Sequence, residues 1–340
     1  MHRVLWLTLL LLGSLLSPAL AAEDCAIPPS ARLSPPTTDA PVPVAVGLVL
    51  TDVIGIDDET QSVDLDAFSK VSWQDPRLAA FAGCRVSPAA IWNPGVEIVN
   101  TSKLRNQAPP TAFILEGGQV VISRRFTGWV TSPHRLQDFP FDKRSILLQL
   151  VPREAQSDTV VLEVDPTFTA RKQDFSIADW AVGEPTVGID EWNVLNLGQT
   201  RSRLNFEVPA QRLRGYWVFK VMLPLLMIIA MSWAVFWIDA AHFATAIGLA
   251  ATSMLTLIAF QFSVANTLPR VSYLTIMDEF VFGAAVLVFL ALVEAVVTSA
   301  LVGAGKGDLA RRMDYAGRFV LPLALLTLVA WITWQAAQAS

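Results

Sequence analysis

The sequence predicts an antiparallel, immunoglobulin-like β-sandwich outside the membrane, followed by an all-α bundle of four transmembrane helices. Two observations carry this prediction: an uneven distribution of charge, and four apolar runs in the last third of the chain. Of 340 residues, 53% are hydrophobic and only 16% are charged, where a soluble domain carries about 25% charged residues. From residue 215 onward there are six acids and six bases; the other 24 acids and 19 bases lie upstream. A net charge of −5 argues against nucleic acid as a partner, because such binders carry a basic footprint. The compositional break falls near Arg214.

Residues 1–22 have a basic start, an apolar middle and an Ala19-Leu20-Ala21 end, which is the pattern of a cleaved secretory signal. Residues 23–42 are proline-rich and polar, an extended lead-in. Over 43–213, short alternating runs such as Val63–Trp73, Gln119–Trp129 and Arg203–Val208 are separated by prolines and glycine pairs, as the strands of an exported antiparallel sandwich would be. The transmembrane domain is expected over 214–340, with helices at about 214–238, 242–265, 273–302 and 316–337. Each apolar run approaches or exceeds what ~30 Å of hydrocarbon requires. With the sandwich exported, the loop carrying Lys306, Arg311 and Arg312 faces the cytoplasm, in keeping with the positive-inside rule.

The second apolar run differs from the others. Thr245, Thr252, Thr256 and Ser263 are spaced 7, 4 and 7 residues apart and share one helical face. Such a stripe needs protein or water to face, so it is either a packing seam or the wall of an aqueous pore. Nothing in the sequence carries a catalytic set: there is no phosphate-binding loop, nucleophile elbow or metal-protease motif. No cofactor and no metal site is expected. Cys25 and Cys84 could pair in an oxidising compartment, or Cys84 could stay free.

Further motifs add a resemblance. Phe139-Pro140-Phe141-Asp142 is followed by a first span with Pro224, ending Ser232-Trp233-Ala234-Val235-Phe236-Trp237. The hydroxyl-rich helix ends at Asn266-Thr267-Leu268-Pro269-Arg270, and Trp73-Gln74-Asp75 and Trp92-Asn93-Pro94, with Glu97 and Asn100, stand upstream. In this order, from Pro43 to Trp334, the chain resembles a pentameric ligand-gated ion channel of the Cys-loop superfamily in its bacterial form. The loop cysteines of that superfamily would fall at Ser132 and Ile146, so the namesake disulfide is absent.

The resemblance implies a homopentamer in a bacterial inner membrane: five copies of the chain in a lipid bilayer, opened by a small-molecule agonist and crossed by ions. It places Thr245, Gly248, Thr252, Leu255, Ala259, Phe262 and Asn266 on the pore, with Leu255 as the central hydrophobic ring. Coupling between domains would run through Asp58, Asp142, Arg212 and Pro269; Arg212 could instead anchor to lipid headgroups. The agonist site would combine Glu97, Arg153 and Trp192 with Phe68 of the next subunit. A Glu97–Arg153 pair there could hold a zwitterion or satisfy itself. The mouth of the pore carries neither the glutamate ring of cation channels nor the Pro-Ala-Arg run of anion channels. The net −6 of residues 23–214 then favours weak cation selectivity, with anion permeation and a non-conducting membrane sensor as alternatives. His134 reads as a bystander, and a chemical agonist is expected rather than protons.

Overall fold

The computed structural model describes residues 25–153, 156–193, 199–239, 242–265 and 267–338; the expected signal segment and Asn266 lie outside them. Thirteen strands form the first part: β1 Val42–Asp57, β2 Ser62–Gln74, β3 Arg85–Val86, β4 Val96–Ile98, β5 Thr101–Asn106, β6 Thr111–Ile114 and β7 Gln119–Thr131. The rest are β8 Lys143–Pro152, β9 Val160–Val164, β10 Ala170–Arg171, β11 Trp180–Val182, β12 Thr186–Asn193 and β13 Thr200–Arg212. One sheet runs β10-β1-β2-β7-β6-β3, with β9 added to β1 and β5 to β7; the other runs β11-β13-β8-β4, with β12 on β13.

The period-two pattern builds this sandwich. Along β1, Val42, Val44, Val46, Leu48 and Leu50 all point into the core. A register shift between Leu50 and Asp52 changes the parity, so Val53 is the next inward residue, which is what a bulge does to a strand. Gly128 of β7 sits at φ +136°, with the Lys103 carbonyl 2.0 Å from where a Cβ would lie, so only glycine fits there. Asn100 ties the two sheets together. Its amide nitrogen donates to Thr131 (2.9 Å) and Leu147 (2.6 Å), and its oxygen accepts from the Gln149 N–H (2.9 Å).

The lead-in is fastened rather than free. Cys25 is disulfide-bonded to Cys84, 59 residues on. Ser30–Leu33 forms a helical turn that buries Ala31 completely, and Arg77 donates to the Ser30 and Ser34 carbonyls.

Four helices follow, at Gly215–Trp237, Phe243–Val264, Ile276–Gly303 and Gly307–Gln338, each long and apolar enough to cross a membrane. The first contains a π-helical turn over Val218–Met222, just before Pro224. Proline lacks the N–H that a regular turn requires, and a wider turn is a known accommodation. The fourth helix starts at Gly307 rather than near 316. Its first turns are polar, so the apolar run alone located only the membrane-buried length.

The third helix opens with a capping box: Thr275 Oγ1 accepts from the Asp278 N–H (3.2 Å) while Asp278 Oδ2 accepts from the Thr275 N–H (2.9 Å). Its next two amides donate into the sandwich, Ile276 N–H to the Gln137 carbonyl (2.9 Å) and Met277 N–H to that of Phe139 (3.1 Å). Helix N-termini leave such donors unsatisfied, and here the Phe-Pro-Phe-Asp loop supplies the acceptors. Phe139 is fully buried against Trp217, with ring centroids 4.6 Å apart.

Replacing Cys25 and Cys84 together by serine is expected to lower the stability of the sandwich by roughly 2–4 kcal/mol. Thermal melting of the purified protein in detergent checks this against the parent.

Candidate functional site

Strand parity delivers charge to the base of the sandwich. In β13, Leu204, Phe206, Val208 and Ala210 form the inward stripe, and Arg212 is its next member. In β8 the stripe of Ile146, Leu148 and Leu150 begins with Arg144. The register pairs Arg144 with Ala210, so both guanidiniums emerge side by side where the core ends. Asp142, two residues before Arg144, joins them, and its carbonyl accepts from the Arg212 N–H (3.3 Å).

The resulting cluster is dense. Arg212 Nε donates to Asp142 Oδ1 (2.8 Å), and its Nη2 donates to both oxygens of Asp58 (2.9 Å each). Arg144 Nη2 donates to Asp58 (2.5 Å) and Asp142 (3.3 Å). Trp180, paired with Arg212 across β11 and β13, stacks under both guanidiniums at 4.2 and 4.3 Å. Asp142 is 1% exposed and Arg212 5%, so Arg212 is no lipid-headgroup anchor. Sequence reasoning missed Arg144, Trp180 and His134. Parity could have found Arg144, since it lies one period from Asp142 on the inward face.

His134 is no surface bystander. Its side chain is 5% exposed, its Nδ1 lies 3.0 Å from the Ser132 carbonyl, and its Nε2 stands 3.9 Å from Asp58. Burial, with Arg144 nearby, holds its pKa below the usual 6.5, against the raising pull of the Ser132 carbonyl and the two aspartates. A histidine kept neutral by the fold makes the unfolded chain the better proton binder.

The predicted ligand residues divide into two places. Register sets Glu97 opposite Val151, and Arg153 follows two residues on, on the same side. The pair meets as a two-pronged ion pair, Arg153 Nε and Nη2 to Glu97 Oε2 at 2.8 and 2.6 Å. It lines a cleft of about 960 Å³ with Trp92, Pro94, Arg32 and Arg124. Arg124 was not anticipated; its Nε is buried without a partner. Burial, then Arg153, pushes its pKa below the ordinary value, with Glu97 opposing them. Phe68 instead lies on β2, stacked with Arg125, which pairs with Asp66. One chain therefore does not bring Phe68 to Glu97. Trp192 is in β12, half-buried opposite Arg201; residues 194–198 are outside the described residues.

On the second helix the exposure pattern is regular. Thr245, Gly248, Thr252, Leu255, Ala259 and Phe262 are all exposed, whereas Ala250, Ser253, Leu257 and Val264 face the other helices. Leu255 is 68% exposed and Phe262 75%. Thr252 and Thr256 hydroxyls donate back to the Gly248 and Thr252 carbonyls (2.7 and 2.8 Å), which satisfies them inside their own helix. Pro269 lies in the turn before the third helix. Among the described residues no cluster of His, Cys, Asp or Glu could hold a metal.

A sandwich joined through buried charges to four membrane-length helices is the architecture of a multi-pass membrane protein. Residues 30–198 match the neurotransmitter-gated ion-channel ligand-binding domain, and residues 221–315 match the neurotransmitter-gated ion-channel transmembrane region. The chain belongs to the pentameric ligand-gated ion channels. A proton-gated ion channel of Gloeobacter violaceus is 27% identical over 316 residues, covering 91% of this chain and 86% of the relative. The human gamma-aminobutyric acid receptor subunit alpha-2 is 25% identical over 288 residues, covering 77% of this chain. The corresponding subunit beta of Lymnaea stagnalis is 25% identical over 311 residues. The chain spans 61% of the length of each of these receptor subunits.

Two outcomes follow for the cluster. Asp142→Ala leaves two buried guanidiniums to share Asp58 alone and is expected to cost roughly 3–5 kcal/mol, read as a lowered melting temperature. For His134, stability is full above about pH 6.5 and is lost as pH falls and the unfolded chain takes up the proton. His134→Gln should flatten that acid limb of the melting-temperature profile while leaving the value at higher pH nearly unchanged.

Proposed function

We propose that the chain is a homopentameric ligand-gated ion channel of a bacterial inner membrane, with the five second helices lining its pore. The observation that carries this is the exposed stripe of that helix. All four helices expose apolar groups, but this one sets the hydroxyls of Thr245, Thr252 and Thr256 beside Leu255 and Phe262 on its exposed side, and such a stripe needs protein or water as its neighbours. Five copies around an axis supply them. Leu255, between polar Thr252 and Thr256, then forms an apolar ring that stops ions by dewetting.

The agonist is a small molecule held at the subunit boundary by Glu97, Arg153 and Trp192 of one subunit and Phe68 of the next. The exposed Glu97–Arg153 pair can open its two prongs to a ligand at small cost, since exposed ion pairs contribute about 0–1 kcal/mol. Asp58, Asp142 and Arg212 couple the domains. They hang from the β1–β2 turn, the Phe-Pro-Phe-Asp loop and the strand that runs directly into the first helix. Pro269, in the turn before the third helix, receives the movement. The chain is assigned no enzymatic role.

Selectivity follows from the vestibule. Residues 23–214 hold 24 acids and 18 bases, and five copies surround the entrance with a net −30. Salt screens this field over ~8 Å at physiological strength, so the preference for cations is weak.

The test is current across a planar bilayer containing the purified chain. Leu255→Thr hydrates the ring and should raise the resting conductance at least severalfold over the parent. Under a tenfold NaCl gradient the reversal potential should lie on the sodium side of zero. An unchanged resting conductance contradicts the placement of Leu255, and reversal near the chloride potential assigns anion permeation instead.

A further inference from the structure

In the inner half of the helical bundle, a cavity of about 300 Å³ opens between the third and fourth helices and the end of the first. Its walls are Phe236, Leu287, Leu290, Val320 and similar groups, and Glu294 is the one ionisable residue among them. Gly317 shapes the floor: a Cβ there would lie 2.2 Å from the Phe236 ring. Glu294 is nine residues before the end of its helix, about 13 Å at 1.5 Å per residue, well within the apolar layer.

Both Glu294 carboxyl oxygens are buried, and apart from the Asp314 carboxyl no protein group hydrogen-bonds to them. The group that faces them is a second carboxyl, Asp314 of the fourth helix. Asp314 feels Arg318 on one side and Asp239 on the other. Arg318 is already engaged elsewhere: its Nε donates to the Phe236 carbonyl (2.9 Å), and its guanidinium stacks on Trp237 at 4.7 Å. Of this pair of carboxyls, Glu294 is the one that lines the apolar cavity. Burying a carboxyl with no partner is among the costlier things a membrane helix can do.

We propose that this cavity binds a lipophilic ammonium, an alkyl chain ending in one primary amine. The amine would sit between Glu294 and Asp314, with the chain along Leu287, Leu290 and Val320. The chemistry on each wall selects this class. The carboxyl pair has at most one shared proton to satisfy its oxygens, and an ammonium supplies three N–H donors together with the opposite charge. A bare divalent metal is disfavoured, because the remaining walls offer no oxygen ligands. The volume holds about ten water-sized groups, the scale of an eight- to ten-carbon chain. The site is separate from the extracellular cleft and does not depend on how the pore is lined.

The experiment uses the full-length chain in phosphatidylcholine nanodiscs and follows its melting temperature against decylamine, with decanol as the neutral match. Decylamine should raise the melting temperature saturably, as ligands of the folded state do, at concentrations at least tenfold below those at which decanol acts. Glu294→Gln should move the decylamine curve at least tenfold to higher concentration and leave the decanol curve in place. Asp314→Asn, on the other helix, should do the same and serves if the first variant fails to fold. Equal potency of amine and alcohol on the parent chain, or an unmoved decylamine curve in a folded variant, would overturn the proposal and leave the two acids sharing a proton. A phosphatidylethanolamine arm tells the source. If that lipid competes with decylamine on the parent but not on Glu294→Gln, a lipid headgroup supplies the ammonium; without competition a free amine does. Either result sustains the site.

Discussion

The buried carboxylate–guanidinium cluster at the base of the sandwich is the constraint on which the rest of the molecule hangs. Arg144 and Arg212 are carried there by the inward parity of β8 and β13, at the point where apolar side chains give out. Two guanidiniums in so little solvent need more than one acid, and they have Asp58 and Asp142 as acceptors and Trp180 as a stacking surface. Removing one partner from such a group leaves a charge stranded. The β1–β2 turn, the Phe-Pro-Phe-Asp loop and β13 are therefore held in one relative position. Three residues after Arg212 the first helix begins. From the same loop, the Gln137 and Phe139 carbonyls cap the third helix. The cluster thus sits where two of the four helices begin, which is why the proposed coupling is assigned to it.

Much of this was legible in the sequence because it rests on periodicity. The apolar lengths gave four helices, and the hydroxyl spacing of the second helix marked Thr245, Thr252, Thr256 and Ser263, all of which the structure leaves exposed. Asp58, Asp142 and Arg212 came from family resemblance, and the structure brings all three together. What escaped were facts set by tertiary contact. His134 looked like a lone polar residue, because nothing local reveals that Ser132, Asp58 and Arg144 enclose it. The Cys25–Cys84 bond joins residues 59 apart, and spacing alone could not favour pairing over a free thiol. The start of the fourth helix was placed late because its polar first turns carry no hydrophobic signal.

The residues proposed to hold the agonist divide between two places on one chain. Glu97 and Arg153 face one cleft, whereas Phe68 lies on another strand beside Arg125. A single chain holds both halves of the proposed ligand boundary, but on different faces, as a ring of identical subunits requires. The partnerless Nε of Arg124 makes that cleft more cationic than sequence reading anticipated. In the membrane the imbalance is reversed, with carboxyls in excess around Glu294.

The proposed pore-lining face of the second helix is tested most directly by single cysteines introduced along it and treated with a charged thiol reagent while current is recorded. The account predicts that cysteines at Thr245, Gly248, Thr252, Ala259 and Phe262 are modified and change the conductance, whereas those at Ala250, Ser253 and Leu257 are not. Modification of the second set with the first left untouched, or no periodic pattern at all, would contradict it.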